Sequence, residues 1–310
     1  MSQTVYDHIR RNNVKSFFLI LLFPISLCLI FFALVWLVFG GDPEAMAYGM
    51  DFFKSWAPIV MGGALVWMCI SYYFGDKMML GFAHAQPLSD KSDEYKKVFK
   101  AVENVALAAG LPTPKVYVIQ DNSLNAFATG ITPQNASVAL TSGIIKALEP
   151  LELEGVIAHE MAHIGNRDVR LNVLIVSGIG ILGFIGNILI RVRSRDSKNN
   201  VAALMMIMGL SLLIFNWIVA PLIRLAISRT NEYNADATAA LITRNPLALA
   251  SALQKISKDP RVEVLDGTQM ALACIYEPGE KAMAFDGLTS THPSIENRVK
   301  RLQAMAGKIS

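Results

Sequence analysis

Cysteine is almost missing: Cys28, Cys69 and Cys274 are the three in 310 residues. Two lie inside apolar runs and the third is far away. That pattern excludes a disulfide framework and a Cys-type zinc site, and leaves buried thiols as the plain expectation. Charge is scarce too. Charged residues make up 17% of the chain and apolar ones 53%, against about 25% and about 45–50% in soluble domains. The net charge is only +3. That is too small to argue for nucleic acid, and no Lys/Arg-rich run looks like a nucleic-acid patch. Internal repeats and low-complexity tracts are absent as well. The composition that remains points to a membrane protein.

Residues 17–39 carry no charge over 23 positions, and a helix of about 20 residues crosses a bilayer core. A cleaved signal peptide is the rival reading, because Arg10, Arg11 and Lys15 precede the run and Ala45-Met46-Ala47 resembles a cleavage site. The run is too long for a signal core of about 7–15 residues. Residues 56–75 form a second uncharged run, with Trp56, Trp67, Tyr72 and Tyr73 placed as interface anchors. The connector 40–55 holds Asp42, Glu44 and Asp51 against Lys54, whereas the N-terminal flank is basic. The positive-inside rule then puts the N-terminus and the chain after residue 75 in the cytoplasm. Two more apolar runs, 171–190 and 201–223, flank a connector with Arg191, Arg193, Arg195, Asp196 and Lys198. Two crossings are expected, although the basic connector then breaks the rule; a hairpin entering the membrane only partly is the alternative. Gly180, Gly183 and Gly186 lie three apart, which suits close helix contact.

The polar parts are 76–170 and 224–310. Residues 92–109 read as an amphipathic helix stopped by Gly110 and Pro112. Residues 115–120 and 137–141 alternate or are β-branched and read as strands. Between them, 125–130 is an edge strand or a loop. Pro150 opens a helix that runs through Ile164 and stops near Gly165. Residues 231–242 and 295–305 also read as helices.

That Pro150 helix contains His159-Glu160-Met161-Ala162-His163. Histidines four apart share one helix face, so both can reach one Zn²⁺. Glu160 sits beside the first of them and can accept the proton of a water activated by the metal. The flanking Val156, Ile157, Ala158, Met161, Ala162 and Ile164 are apolar. Two solvent-facing histidines are therefore the poorer reading, since buried imidazoles need partners. A catalytic zinc takes three protein ligands and keeps an open position. Glu232 is a better third candidate than His8 or His84, and Asp236, one turn further, can accept the N–H of a ligand histidine. An ordinary solvated acidic face is the rival for this pair. His163 lies eight residues before 171 and Glu232 nine after 223. Both hug a membrane boundary, and they meet only if an even number of crossings separates them.

Together these segments resemble the HtpX-type membrane metallopeptidases, relatives of the CAAX prenyl endoproteases. The resemblance rests on two leading membrane helices, Asp76-Lys77, Asn125-Ala126-Phe127-Ala128, the 159–168 segment HEMAHIGNRD, the hydrophobic pair, the 228–236 segment SRTNEYNAD, and Thr291-His292-Pro293 with Arg298. It implies His159, His163 and Glu232 as ligands of one zinc ion per chain, Glu160 as general base and Asp236 as an outer carboxylate. It implies that Asn125, Ala126, Phe127 and Ala128 pair with the substrate backbone as an edge strand. His292 and Arg298 match a pattern near the site, and one of them would stabilise the oxyanion; a helix start and a surface ion pair are the plain alternatives. Thr230-Asn231 stand where the pattern is more basic.

The implied fold is α+β and mainly helical, a gluzincin-like zinc peptidase domain with a small sheet fused to about four membrane helices. Residues 1–75 would form a membrane hairpin and 76–170 the first part of the peptidase domain. Residues 171–223 would form a hydrophobic hairpin and 224–310 the second part. The implied function is endoproteolysis of membrane or misfolded proteins at a bacterial inner membrane, with the site facing the cytoplasm. Partners are protein or peptide substrates and the lipid bilayer, with no oligomeric state indicated. Rival readings are a CAAX-type prenyl protein protease, a catalytically silent zinc-binding scaffold and a zinc-dependent lipid hydrolase. Glu160 argues against the scaffold, the short chain against the prenyl protease, and an edge strand against the lipid hydrolase.

Overall fold

Lipid offers no hydrogen-bond partner to a backbone, so a long uncharged stretch closes its own bonds as a helix. The computed structural model describes residues 5–88, 93–191, 205–206, 208–210, 212–214, 216, 229–258 and 293–309. Its first two helices are α1 (Val5–Phe39) and α2 (Pro43–Phe82), each long and apolar enough to cross a membrane. Both outrun the apolar stretches at 17–39 and 56–75. The acidic connector shrinks to 40–42. Asp42 caps α2 by accepting from the Ala45 N–H at 2.8 Å, and Pro43 suits the first turn. At its other end α2 continues past Gly75 through Asp76 and Lys77.

Large apolar side chains on these helices face outward, with Phe17 62%, Leu37 75% and Tyr73 72% exposed. A soluble surface would tolerate such a band poorly, but lipid is its natural neighbour. Among the described residues a small cluster of Phe23, Ala64, Met68, Leu174 and Leu182 is buried between α1, α2 and α6 (Asp168–Arg191). Cys28 is half-buried and Cys69 exposed. The expected burial fails for both, because these helices pack few side chains against protein; Cys274 lies outside the described residues. A Cβ on Gly186 would lie 3.0 Å from the Gly209 carbonyl oxygen, and one on Gly183 would lie 3.2 Å from Asn216 Nδ2. Small residues thus let the third apolar run approach the described part of the fourth.

The polar part is mostly helical around a small mixed sheet. Its strands are β1 (Gln86–Pro87), β2 (Lys115–Ile119), β3 (Ala126–Thr129) and β4 (Ser137–Thr141), in the order β1-β2-β4-β3. β2 and β4 run parallel and the other pairs antiparallel. The 125–130 segment is therefore an edge strand of the described sheet. It ends at Gly130, whose φ of +128° and 2.7 Å approach to Ala136 Cα leave no room for a side chain.

The remaining helices are α3 (Asp93–Ala109), α4 (Ser142–Ala147), α5 (Pro150–Asn166), α7 (Arg229–Thr243), α8 (Pro246–Ile256) and α9 (Ile295–Ile309). α5 is central and touches α3, α7, α8 and β3. Gly155 permits the contact with α8, since its Cβ would meet Leu249 Cα at 3.1 Å. The sequence predicts α3, α5, α7 and α9 to within about a turn, but not β1, not α4 and not α8. Asn245, which accepts from the Ala248 N–H at 3.2 Å, and Pro246 in the first turn are the start signals of α8.

Glu152 ties α5 to α8. It accepts the Glu149 N–H at 2.8 Å, closing a capping box, and also Ser251 Oγ and Lys255 Nζ, each at 2.6 Å. Burial pushes its carboxyl up, but these hydrogen bonds outweigh burial and hold it below the usual carboxylate range. A depressed carboxylate stabilises the fold above its unfolded pKa, and the contribution vanishes as pH falls through the folded value. Glu152→Gln is expected to cost about 1.5–3 kcal/mol at neutral pH, the scale of hydrogen bonds to a charged group. Urea melts of the two proteins should converge on acidification below about pH 4. A gap independent of pH would show that the charge on Glu152 is not what matters.

Candidate functional site

Helical pitch stacks His159 over His163 on one face of α5. Their rings meet edge to face, 4.7 Å apart at 89°, and their Nε2 atoms stand 3.2 Å apart. Each ring's other nitrogen faces a carboxylate: His159 Nδ1 lies 3.0 Å from Asp236 Oδ1, and His163 Nδ1 lies 3.0 Å from Asp168 Oδ2. An ionised carboxylate only accepts, so each Nδ1 carries a proton, which leaves Nε2 as the nitrogen that can offer a lone pair to a metal once its own proton is gone. Glu232, in the first turn of α7, brings Oε1 to 3.4 Å from His163 Nε2 and Oε2 to 3.6 Å from His159 Nε2.

The ligand atoms of His159, His163 and Glu232 all lie within 4.8 Å of one another. Two imidazole lone pairs and a carboxylate at these separations repel unless a proton or a cation joins them. Two imidazoles and one carboxylate are a donor set that suits Zn²⁺ and leave room for a further ligand. The residues present therefore fit a zinc ion. Where no metal is bound, burial lowers the His163 pKa, but hydrogen bonds and charges from Asp168 and Glu232 prevail and raise it well above the ordinary histidine value. A metal must displace that proton.

Glu160 is 4% exposed. Burial raises its pKa, and Glu232 adds to the rise; the charges of His159 and His163 and a hydrogen bond from the Ala128 N–H oppose it. The Ala128 bond sets β3 directly beside Glu160. Asn125, Ala126, Phe127 and Ala128 are all under 7% exposed, so the edge strand is buried here. The Asn125 side chain turns back to accept the Ala126 N–H at 2.7 Å.

Arg298 of α9 is buried against the same cluster. Its Nε and Nη2 donate to the two Asp236 oxygens at 2.9 and 2.7 Å, and Nη1 lies 3.5 Å from Glu232 Oε2. Burial would raise the Asp236 carboxyl, but the Arg298 charge and the hydrogen bonds from His159 and Arg298 hold it at about 2. Arg298 itself is pushed above its ordinary value by Asp236, against the effect of burial. His292 lies outside the described residues.

Asp168, Asn12 and Asn231 are site residues that the sequence reading missed. Asp168 Oδ1 accepts from Asn12 Nδ2 at 2.6 Å and from Asn231 Nδ2 at 2.8 Å. The position of Asp168, five residues after His163 and just past the helix end, was a usable signal. Nothing local marks Asn12, which lies 156 residues away.

Comparison with known proteins gives the family. The model of peptidase family M48 matches residues 92–306. The Protease HtpX homolog of Bacteroides fragilis is 39% identical, covering 94% of this chain and 96% of its own. That of Dictyoglomus thermophilum is 36% identical, covering 97% and 95%. The crystal structure of S. mikatae Ste24p is similar at 18% identity with a TM-score of 0.46, covering 96% of this chain and 67% of the other. With relatives this similar along almost their whole length, the chain belongs to peptidase family M48, as an HtpX-type metalloprotease of membranes.

Proposed function

We propose that the chain is an integral-membrane zinc endopeptidase. It hydrolyses peptide bonds of membrane or misfolded proteins on the cytoplasmic side of a bacterial inner membrane. His159, His163 and Glu232 hold the zinc, and Glu160 is the general base. The observation that carries this reading is the convergence of two imidazole Nε2 atoms and a carboxylate within 4.8 Å, with buried Glu160 beside them.

Zinc bound there supplies a Lewis acid toward a water and a carbonyl oxygen. The chain's own groups do the rest. Glu160 accepts the proton of the attacking water and passes it to the leaving amine; a carboxyl raised by burial is better matched to both transfers near neutral pH. Asp236 and Asp168 fix the tautomers of His159 and His163. Arg298 holds Asp236 in place through its paired bonds. Asn125–Ala128, at the edge of the described sheet, offers the substrate backbone an edge to pair with.

Sidedness follows from α1. Its N-terminal part carries Arg10, Arg11 and Lys15 and touches the site through Asn12. The positive-inside rule assigns that end to the cytoplasm. The reading keeps about four membrane helices, in 1–75 and 171–223, and a peptidase domain split between 76–170 and 224–310.

Detergent-purified chain loaded with zinc is expected to cleave casein internally. Chelation should abolish cleavage and added zinc restore it, with fragments read by mass spectrometry. No cleavage by chain with confirmed zinc, or cleavage untouched by chelation, would overturn the endopeptidase reading.

A further inference from the structure

The hydrogen bonds around Asp168 join three distant parts of the chain. Oδ2 takes the His163 ring N–H, while Oδ1 takes one amide from α1 and one from α7. The direction of the amides is fixed by chemistry, because a carboxylate cannot donate. Both amides turn their NH2 toward Asp168 even though Asn12 Oδ1 and Asn231 Oδ1 are then buried without a hydrogen-bond partner among the described residues. A buried unsatisfied oxygen is costly, so the bonds to Asp168 dominate the arrangement. Asn12 is 1% exposed and also donates to the Asn166 carbonyl at 3.1 Å, at the last turn of α5.

Asn12 sits five residues before the uncharged run that begins at Phe17, about 7.5 Å along α1. It is thus part of the membrane helix and in contact with the partner of His163. With the metal assignment above as its basis, we propose that Asn12 is a positioning residue of the metal centre. It acts through Asp168, so that the seating of the first membrane helix sets how tightly the centre binds zinc. A shift or rotation of α1 removes an amide from Asp168, frees its carboxylate to turn, and releases the orientation of the His163 ring. Outer partners of ligand histidines commonly change metal affinity by about 10- to 100-fold.

The test is zinc affinity of the full-length chain in detergent, by competition with a chelator of known affinity. The visible absorption of the cobalt-substituted protein is recorded alongside. Asn12→Ala should weaken zinc binding about 10-fold or more and alter the cobalt spectrum. Asn13→Ala, which removes only the acceptor of an Arg170 hydrogen bond at 3.3 Å, should leave both unchanged. Asn12→Ser keeps a shorter donor and should fall between wild type and Asn12→Ala; if Asn12→Ala fails to fold, Asn12→Ser decides. Wild-type affinity and spectrum in the Asn12 variants, or equal losses in Asn13→Ala, would overturn the role of Asn12. Failure of the wild type itself to bind zinc would instead remove the metal assignment on which that role stands.

Discussion

Glu160→Gln is expected to lower casein cleavage by about 10²- to 10⁴-fold while zinc stays bound, the range that a positioned general base contributes. The amide keeps the shape of the side chain and fills the same buried space on α5, but it cannot accept a proton. The ligand atoms of His159, His163 and Glu232 belong to other side chains, so their geometry survives. The Ala128 N–H that meets the carboxylate can still donate to the amide oxygen. Cleavage rate and zinc content measured on one preparation separate the two effects. A variant with more than a tenth of wild-type turnover would show that another group carries the proton. A variant that loses its zinc would place Glu160 in metal binding instead.

Glu232→Ala acts on the other half of the site. It removes the α7 carboxylate that stands 3.4 and 3.6 Å from the two Nε2 atoms and leaves the histidines without an anion between them. The expected loss of zinc affinity exceeds the roughly 10- to 100-fold typical of outer partners, because a direct ligand is gone. Asp236 and Arg298 keep their paired hydrogen bonds at 2.7 and 2.9 Å, so the fold around the site should hold. Chelator competition measures the loss, and circular dichroism checks that helix content is retained. Wild-type affinity in Glu232→Ala would remove Glu232 from the ligand set.

The sequence made the local parts of this site legible. A histidine pair four apart on an apolar helix needs only helical pitch to be read, and α5 obeys it. Carboxylates four apart on α7 were legible for the same reason. Most helices and strands of the polar part follow from period and punctuation; β1, α4 and α8 do not, the last although Asn245 and Pro246 announce it. Contacts far apart in sequence were not legible. Asn12 and Asp168 meet across 156 positions, and no periodicity encodes which side chain of a membrane helix touches a catalytic helix. Arg298 is read from the sequence as a candidate for the oxyanion; its contacts, Nε and Nη2 on Asp236 and Nη1 3.5 Å from Glu232 Oε2, depend on the docking of α9 on α7, which no local pattern encodes. The apolar run marks only part of each leading helix, α1 and α2. Backbone hydrogen bonding carries α1 and α2 well beyond it, into the layer where the site lies.

The most direct test of the account is zinc-edge X-ray absorption on the zinc-loaded chain. Two imidazole nitrogens and carboxylate oxygen are expected at about 2.0–2.2 Å, with a further light-atom ligand and no sulfur. A sulfur shell near 2.3 Å, or a spectrum with fewer than two imidazoles, would contradict it.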